Sequence, residues 1–268
     1  MFNNAKGGKV LIGNSEMYYA AFGNGEKNLV IILGLGDGLK SVKGQAITLA
    51  SFYKEYANEY KVYVFGRKEN LPSDYSIKEM ASDQKTAMNL LGLKSACVMG
   101  VSLGGMIAQQ MAIEFPEVIE KLVIGVSVSR PNDTVKKVVR DWIELAKNGN
   151  HKELIEDTMQ KTYTPERYKK FKVWMPLITM FGKPKSFERF IIQAEACLEH
   201  NAYDELHRIN CPTLIIGGDS DKVVGISSSE EMAEKIKGSK LIIYKGLGHG
   251  AYEETKDFNH QVMKFLEE

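Results

Sequence analysis

Short runs made only of apolar residues constrain this chain most. Leu29-Val30-Ile31-Ile32-Leu33, Leu122-Val123-Ile124 and Leu214-Ile215-Ile216 leave no alternate position for a polar side chain, so none reads as a strand with one wet face. A strand takes this form when helices cover both faces of its sheet. Strand candidates are residues 9–12, 17–22, 29–33, 61–65, 96–99, 122–126, 213–216 and 240–244. Helix-length amphipathic patterns lie between them at 46–59, 76–91, 103–114, 227–237 and 258–266. Strand alternating with helix predicts an α/β fold, a mostly parallel central sheet with helices on both faces. The first two strands are separated by Gly13-Asn14-Ser15-Glu16, which predicts an antiparallel hairpin at one edge.

From Arg130-Pro131 to about Arg208 the alternation stops. This stretch offers helical patterns at 134–147, 152–161, 165–177 and 185–199, and no strand. We read residues 131–207 as an all-helical cap inserted between two strands of a core formed by 1–130 and 208–268. Trp142, Trp174, Met159, Met175 and Met180 fall in the insertion. Either they bury its own inner face, as apolar side chains usually do, or some of them roof a pocket.

Composition narrows the partners. With 35 Lys and Arg against 34 Asp and Glu, no basic excess exists to grip a phosphate backbone, and nucleic acid is not expected. Cys97, Cys197 and Cys211 are an odd number at wide spacing, so neither a disulfide framework nor a metal site is expected. The opening residues carry no apolar stretch of signal-peptide type. No apolar run approaches the roughly 18–20 residues of a membrane span. The expectation is a soluble cytoplasmic protein with a small-molecule partner and no membrane partner; oligomeric state is left open.

The chemistry is written most plainly in Ala96-Cys97-Val98-Met99-Gly100-Val101-Ser102-Leu103-Gly104-Gly105. An apolar strand runs into Gly-x-Ser-x-Gly, and a helix follows at once. Such a turn is sharp enough to strain the serine backbone, and residues with side chains beside it would collide with strand and helix. The Ser102 hydroxyl is thereby lifted above the sheet edge, next to the positive end of a helix. Ser102 is the candidate nucleophile; the bland alternative is a serine that merely makes a turn.

A serine hydroxyl needs a base, and the base needs an orienting carboxylate. Of five histidines, His151 and His200 lie in the insertion, His207 just before a strand, and His260 on the polar side of the last helix. His249 differs: it sits in Lys245-Gly246-Leu247-Gly248-His249-Gly250, directly after a strand. A loop histidine alone is usually a solvated surface residue, but this one falls at the carboxyl edge of a parallel sheet, where Ser102 is expected. The carboxylate should follow the preceding strand, where Asp219 and Asp221 compete on position. An oxyanion needs two preorganised N–H donors. Leu103, at the helix start, supplies one; Leu35, in the loop Leu33-Gly34-Leu35-Gly36-Asp37-Gly38, is the candidate for the other. That loop also carries half of a dinucleotide-binding fingerprint. Its third glycine position is Leu39, however, and no phosphate-binding Gly-x-x-x-x-Gly-Lys-Ser/Thr occurs, so no cofactor is expected.

These residues together resemble the α/β-hydrolase superfamily, and most of all its small capped esterase and cofactor-free haloperoxidase-like branch. Ser102, an aspartate and His249 come in the family's order, and the insertion falls where its cap usually falls. The family's frequent Gly-x-x-Asp matches Gly218-Asp219-Ser220-Asp221, which implies Asp221 as the acid. Three features depart from it. The frequent His-Gly before the oxyanion loop is Leu33-Gly34, so that loop must be held another way. The usual Asp is missing from Phe65-Gly66-Arg67-Lys68, and no proline follows Asp221-Lys222-Val223-Val224. The resemblance implies a serine hydrolase of the esterase type that cleaves a carboxylic ester or related acyl compound. The same residues would also serve an acyltransferase, thioesterase, perhydrolase or carbon–carbon hydrolase, or a small-molecule receptor that retains them. A serine at the turn disfavours the dehalogenase and epoxide-hydrolase branches, which attack through a carboxylate.

Overall fold

The computed structural model describes residues 4–268. One sheet holds eight strands: β1 (Lys6–Ile12), β2 (Ser15–Phe22), β3 (Lys27–Ile32), β4 (Tyr60–Lys68), β5 (Ala96–Val101), β6 (Ile119–Gly125), β7 (Thr213–Gly218) and β8 (Lys240–Tyr244). Their spatial order is β1-β2-β4-β3-β5-β6-β7-β8. The hairpin β1–β2 is antiparallel and pairs antiparallel with β4; every pair from β4 to β8 is parallel. This is the mostly parallel, doubly covered sheet that the apolar runs predict.

Leu29, Val30, Ile31 and Ile32 are all fully buried, and the period of two divides them between the faces. Val30 and Ile32 enter a core shared with Met80, Ile107 and Met111; Leu29 and Ile31 enter the opposite core with Tyr56, Phe258 and Val262. Each such burial stabilises the fold by about 1.5–3 kcal/mol. The helices that supply these faces are α1 (Ala46–Phe52), α2 (Ile77–Leu90), α3 (Leu103–Glu114), and, further along, α9 (Ser228–Lys235), α10 (Ala251–Glu254) and α11 (Asp257–Glu267). Between β6 and β7 lie α4 (Asp133–Lys147), α5 (His151–Thr162), α6 (Pro165–Lys172), α7 (Met175–Phe181) and α8 (Glu188–Glu199), with no strand among them.

Two helical patterns are broken where the sequence reads them as continuous. The 46–59 pattern stops at Phe52, turns through a short 3₁₀ segment at Lys54–Tyr56 and enters β4 at Tyr60. Tyr56 is drawn under the sheet, where its hydroxyl donates to Asn259 Oδ1 at 2.7 Å. The 165–177 pattern divides into α6 and α7. Pro176 has no N–H to offer the Lys172 carbonyl and its ring crowds the preceding turn, so the break falls just before it.

Strand order sets the place of chemistry. β3 has β4 on one side and β5 on the other, so the chain leaves β3 in one direction and returns on its opposite flank. Loops that follow β3 and β5 diverge at the carboxyl edge, and a crevice opens between them.

Candidate active site

Ser102 stands alone between β5 and α3, with φ 56° and ψ −122°. A non-glycine residue at positive φ costs on the order of 1–3 kcal/mol and persists only where its surroundings enforce it. Here the enforcement comes from close packing. A Cβ on Gly100 would lie 2.1 Å from the Gly104 carbonyl oxygen, and one on Gly104 would lie 2.0 Å from that of Ile32. Both positions need glycine because backbone occupies the space. A second strained residue faces the first. Val126 has φ 42°, rare for a β-branched residue, and the following Ser127 Oγ donates to the Ser102 carbonyl at 2.7 Å.

The three separated side chains meet at the carboxyl edge. Ser102 Oγ lies 3.0 Å from His249 Nε2, and His249 Nδ1 lies 3.0 Å from Asp221 Oδ2. With a carboxylate at Nδ1, the ring proton belongs there, and Nε2 is left to accept from the serine hydroxyl. His249 and Asp221 are both buried. The second Asp221 oxygen accepts from the amides of Val223 at 2.8 Å and Val224 at 2.9 Å, which fixes the carboxylate plane. Asp219 does not face the histidine. Its Oδ1 accepts from the Gly246 amide at 2.7 Å and from the Ser220 hydroxyl at 2.9 Å, so it ties the β7 loop to the loop that carries His249.

Leu35 opens a short 3₁₀ turn, Leu35–Gly38, and lines the cavity above Ser102; Leu103 is the first residue of α3. First-turn amides have no acceptor within their own helix, which leaves them for a ligand oxygen. The loop that carries Leu35 is held from below by Arg67, a residue buried to 1% exposure at the end of β4. Its Nη2 donates to the carbonyls of Leu33 and Gly34, and its Nη1 lies 3.9 Å from Asp37 Oδ2. The same Asp37 oxygen accepts from Arg189 Nη2 of α8 at 2.9 Å, while Arg189 Nη1 reaches Glu69 at 3.0 Å. Burial pulls the Arg67 pKa down and Asp37 pulls it back up. One arginine thus holds the backbone of the loop at Leu33-Gly34.

A cavity of about 510 Å³ opens over Ser102 and His249, mainly apolar, with Leu35, Phe52, Trp142 and Met159 among its walls. Of the aromatic and methionine residues in the insertion, Trp142 and Met159 face it, Met175 is buried, and Trp174 and Met180 face solvent. The insertion is also bonded to the His249 loop. Gly250 N donates to Thr162 O at 2.7 Å, the Tyr163 hydroxyl donates to Glu253 at 2.7 Å, and the Thr164 amide and hydroxyl donate to Glu254 at 3.0 and 2.6 Å. Burial raises the Cys97 thiol to about 11 and the Cys197 thiol to about 12, so both stay protonated and inert at neutral pH.

Sequence reasoning missed Arg67, Asp37, Arg189, Tyr163 and Glu254. Arg67 had left one trace, since the segment Phe65-Gly66-Arg67-Lys68 departs from the family pattern. The others pair across 90 or more positions, and no local pattern encodes that.

Residues 63–256 match the family model described as alpha/beta hydrolase fold. Over 262 residues the chain is 24% identical to a 2-hydroxy-6-oxononadienedioate/2-hydroxy-6-oxononatrienedioate hydrolase of a Pseudomonas species, covering 94% of this chain and 92% of that protein. It is 23% identical to 3-oxoadipate enol-lactonase 2 of Acinetobacter baylyi over 246 residues, 91% of this chain and 90% of the other. In fold it is similar to an alpha/beta hydrolase enzyme from a Medee basin deep-sea metagenome library, with TM-score 0.86, 22% identity and coverage of 97% and 98%. Among the described residues no helix is long and apolar enough to cross a membrane.

Proposed function

The chain belongs to the α/β hydrolase family, and from that premise we propose that it is a serine hydrolase that cleaves a carboxylic ester or related acyl compound through an acyl-enzyme. One observation carries this reading: the unbroken path from Ser102 Oγ to His249 to Asp221, with 3.0 Å at each step. In the proposed reaction His249 Nε2 takes the hydroxyl proton as Ser102 attacks the carbonyl carbon. The negative charge that develops on the carbonyl oxygen is met by the amides of Leu35 and Leu103; one such donor is typically worth about 10²–10³ in rate. Asp221 orients the ring and stabilises its positive charge. His249 then returns the proton to the leaving group, and a water activated by the same ring releases the acyl group. The chain's own residues complete this chemistry, and no cofactor is called for.

The mainly apolar cavity favours an acyl portion with a sizeable hydrocarbon part. The names of two relatives point to a dienedioate and an enol-lactone, and a lactone is an internal ester that the same attack would open. A panel of esters, thioesters and lactones of graded chain length, with Ser102→Ala as control, tests the proposal. Turnover of at least one class by the wild type, lost in the variant, is the expected result. Equal turnover by both proteins would overturn it.

A further inference from the structure

One cap surface is apolar, basic and turned outward. Val173 and Trp174 form the turn between α6 and α7, and both keep right-handed backbone angles. Lys169, Lys170, Val173, Trp174, Leu177 and Met180 are all exposed and recur at spacings of three and four, the spacing of one helical face. The apolar members are exposed to 77, 60, 46 and 62% respectively. The other face is anchored: Met175 is buried, and His151 Nδ1 donates to the Thr179 carbonyl at 3.1 Å. Stripe and anchor are thus reversed from what a solvent-facing helix requires.

Charge surrounds the stripe. Between residues 165 and 185 stand Arg167, Lys169, Lys170, Lys172, Lys183 and Lys185 against the single acid Glu166. The five lysines are exposed. The whole chain carries only +1, so the basic excess is concentrated here.

We infer that this surface docks the protein onto an anionic lipid bilayer, with α6 and α7 lying in the headgroup plane. Trp174, Val173, Leu177 and Met180 enter the boundary between headgroups and acyl chains, and the lysine stems extend to lipid phosphates on either side. A second copy is a poor occupant, because a two-fold contact would bring two sets of five lysines face to face. The docking is peripheral and requires no spanning helix. It revises the expectation of no membrane partner, which rested on the absence of long apolar runs. Neither α6 nor α7 contributes to the cavity wall, so the surface can be altered without touching the chemistry.

The test is co-sedimentation of the full chain with phosphatidylcholine vesicles, with and without about a third phosphatidylglycerol, across a salt series. Binding to the anionic vesicles alone, weakened by salt, is expected, together with a blue shift of Trp174 emission that Trp174→Phe removes. Lys169→Glu/Lys170→Glu/Lys172→Glu should lower the partition coefficient by about a hundredfold or more. Val173→Ser/Leu177→Ser should weaken binding while hydrolysis of a soluble ester stays at wild-type rate, which certifies the fold. Absence of sedimentation, equal binding to both vesicle types, an unaffected charge-reversed variant, or a salt-dependent dimer that the serine variant abolishes would each overturn the inference.

Discussion

Ser102 is held in a backbone conformation it would not choose, and the residues that hold it are glycines, a facing serine and a strained valine. Its position can be read in the sequence because collision with backbone admits only glycine at 100 and 104. Histidine roles are less legible, since five imidazoles differ only in their surroundings. His200 shows what burial without a partner does. Its Nε2 has no hydrogen-bond partner, and burial, with a smaller contribution from Lys78, lowers its pKa to about 3. Above about pH 6.5 the ring is neutral in both folded and unfolded chains and contributes no pH dependence. As pH falls below that value the unfolded chain takes up a proton that the folded chain refuses until about pH 3, so stability declines across this window. His200→Leu should remove that component. Urea unfolding of both proteins should show the variant's relative stability rising by about 2 kcal/mol between pH 7 and pH 5. A constant difference across that range would contradict it.

At the scale of elements, each catalytic candidate sits just beyond a strand: the oxyanion loop after β3, Ser102 after β5, Asp221 after β7, His249 after β8. The central strands β3, β6 and β7 were legible because burial on both faces leaves an unbroken apolar signature. Helix ends were less so; Tyr56 turns under the sheet and Pro176 interrupts a pattern that periodicity alone runs through. The elbow is the element most sensitive to change. Gly104→Ala sets a methyl against the Ile32 carbonyl, and such overpacking typically costs about 1–3 kcal/mol or more. Thermal unfolding should show a lowered midpoint, and turnover should fall further than the loss of folded protein explains. An unchanged midpoint would mean that strand and helix are not pressed together there.

Across the whole molecule, the helical insertion is bonded to three of the loops around the site, those that carry Leu35, Asp221 and His249. Asn132, which caps α4, donates to the Val224 carbonyl of the Asp221 loop at 2.7 Å. Thr164 bonds Glu254 behind His249, and Arg189 of α8 bonds Asp37 under the loop that carries Leu35. No sequence pattern announces these long-range polar anchors, because each is a pair of ordinary residues brought together only by the finished fold. Asp37→Ala would leave Arg67 buried without its counter-charge, a change that typically costs about 3–5 kcal/mol. Chemical denaturation should register that loss together with a fall in kcat, whereas a fall in neither would show that the loop is held without it. The assembly of the site itself is tested most directly by treating wild type and Ser102→Ala with a fluorophosphonate and mapping the adduct by mass spectrometry. A single adduct on Ser102, absent from the variant, is expected if the His249 ring activates that hydroxyl; equal labelling of the variant, or none of an active wild type, would contradict it.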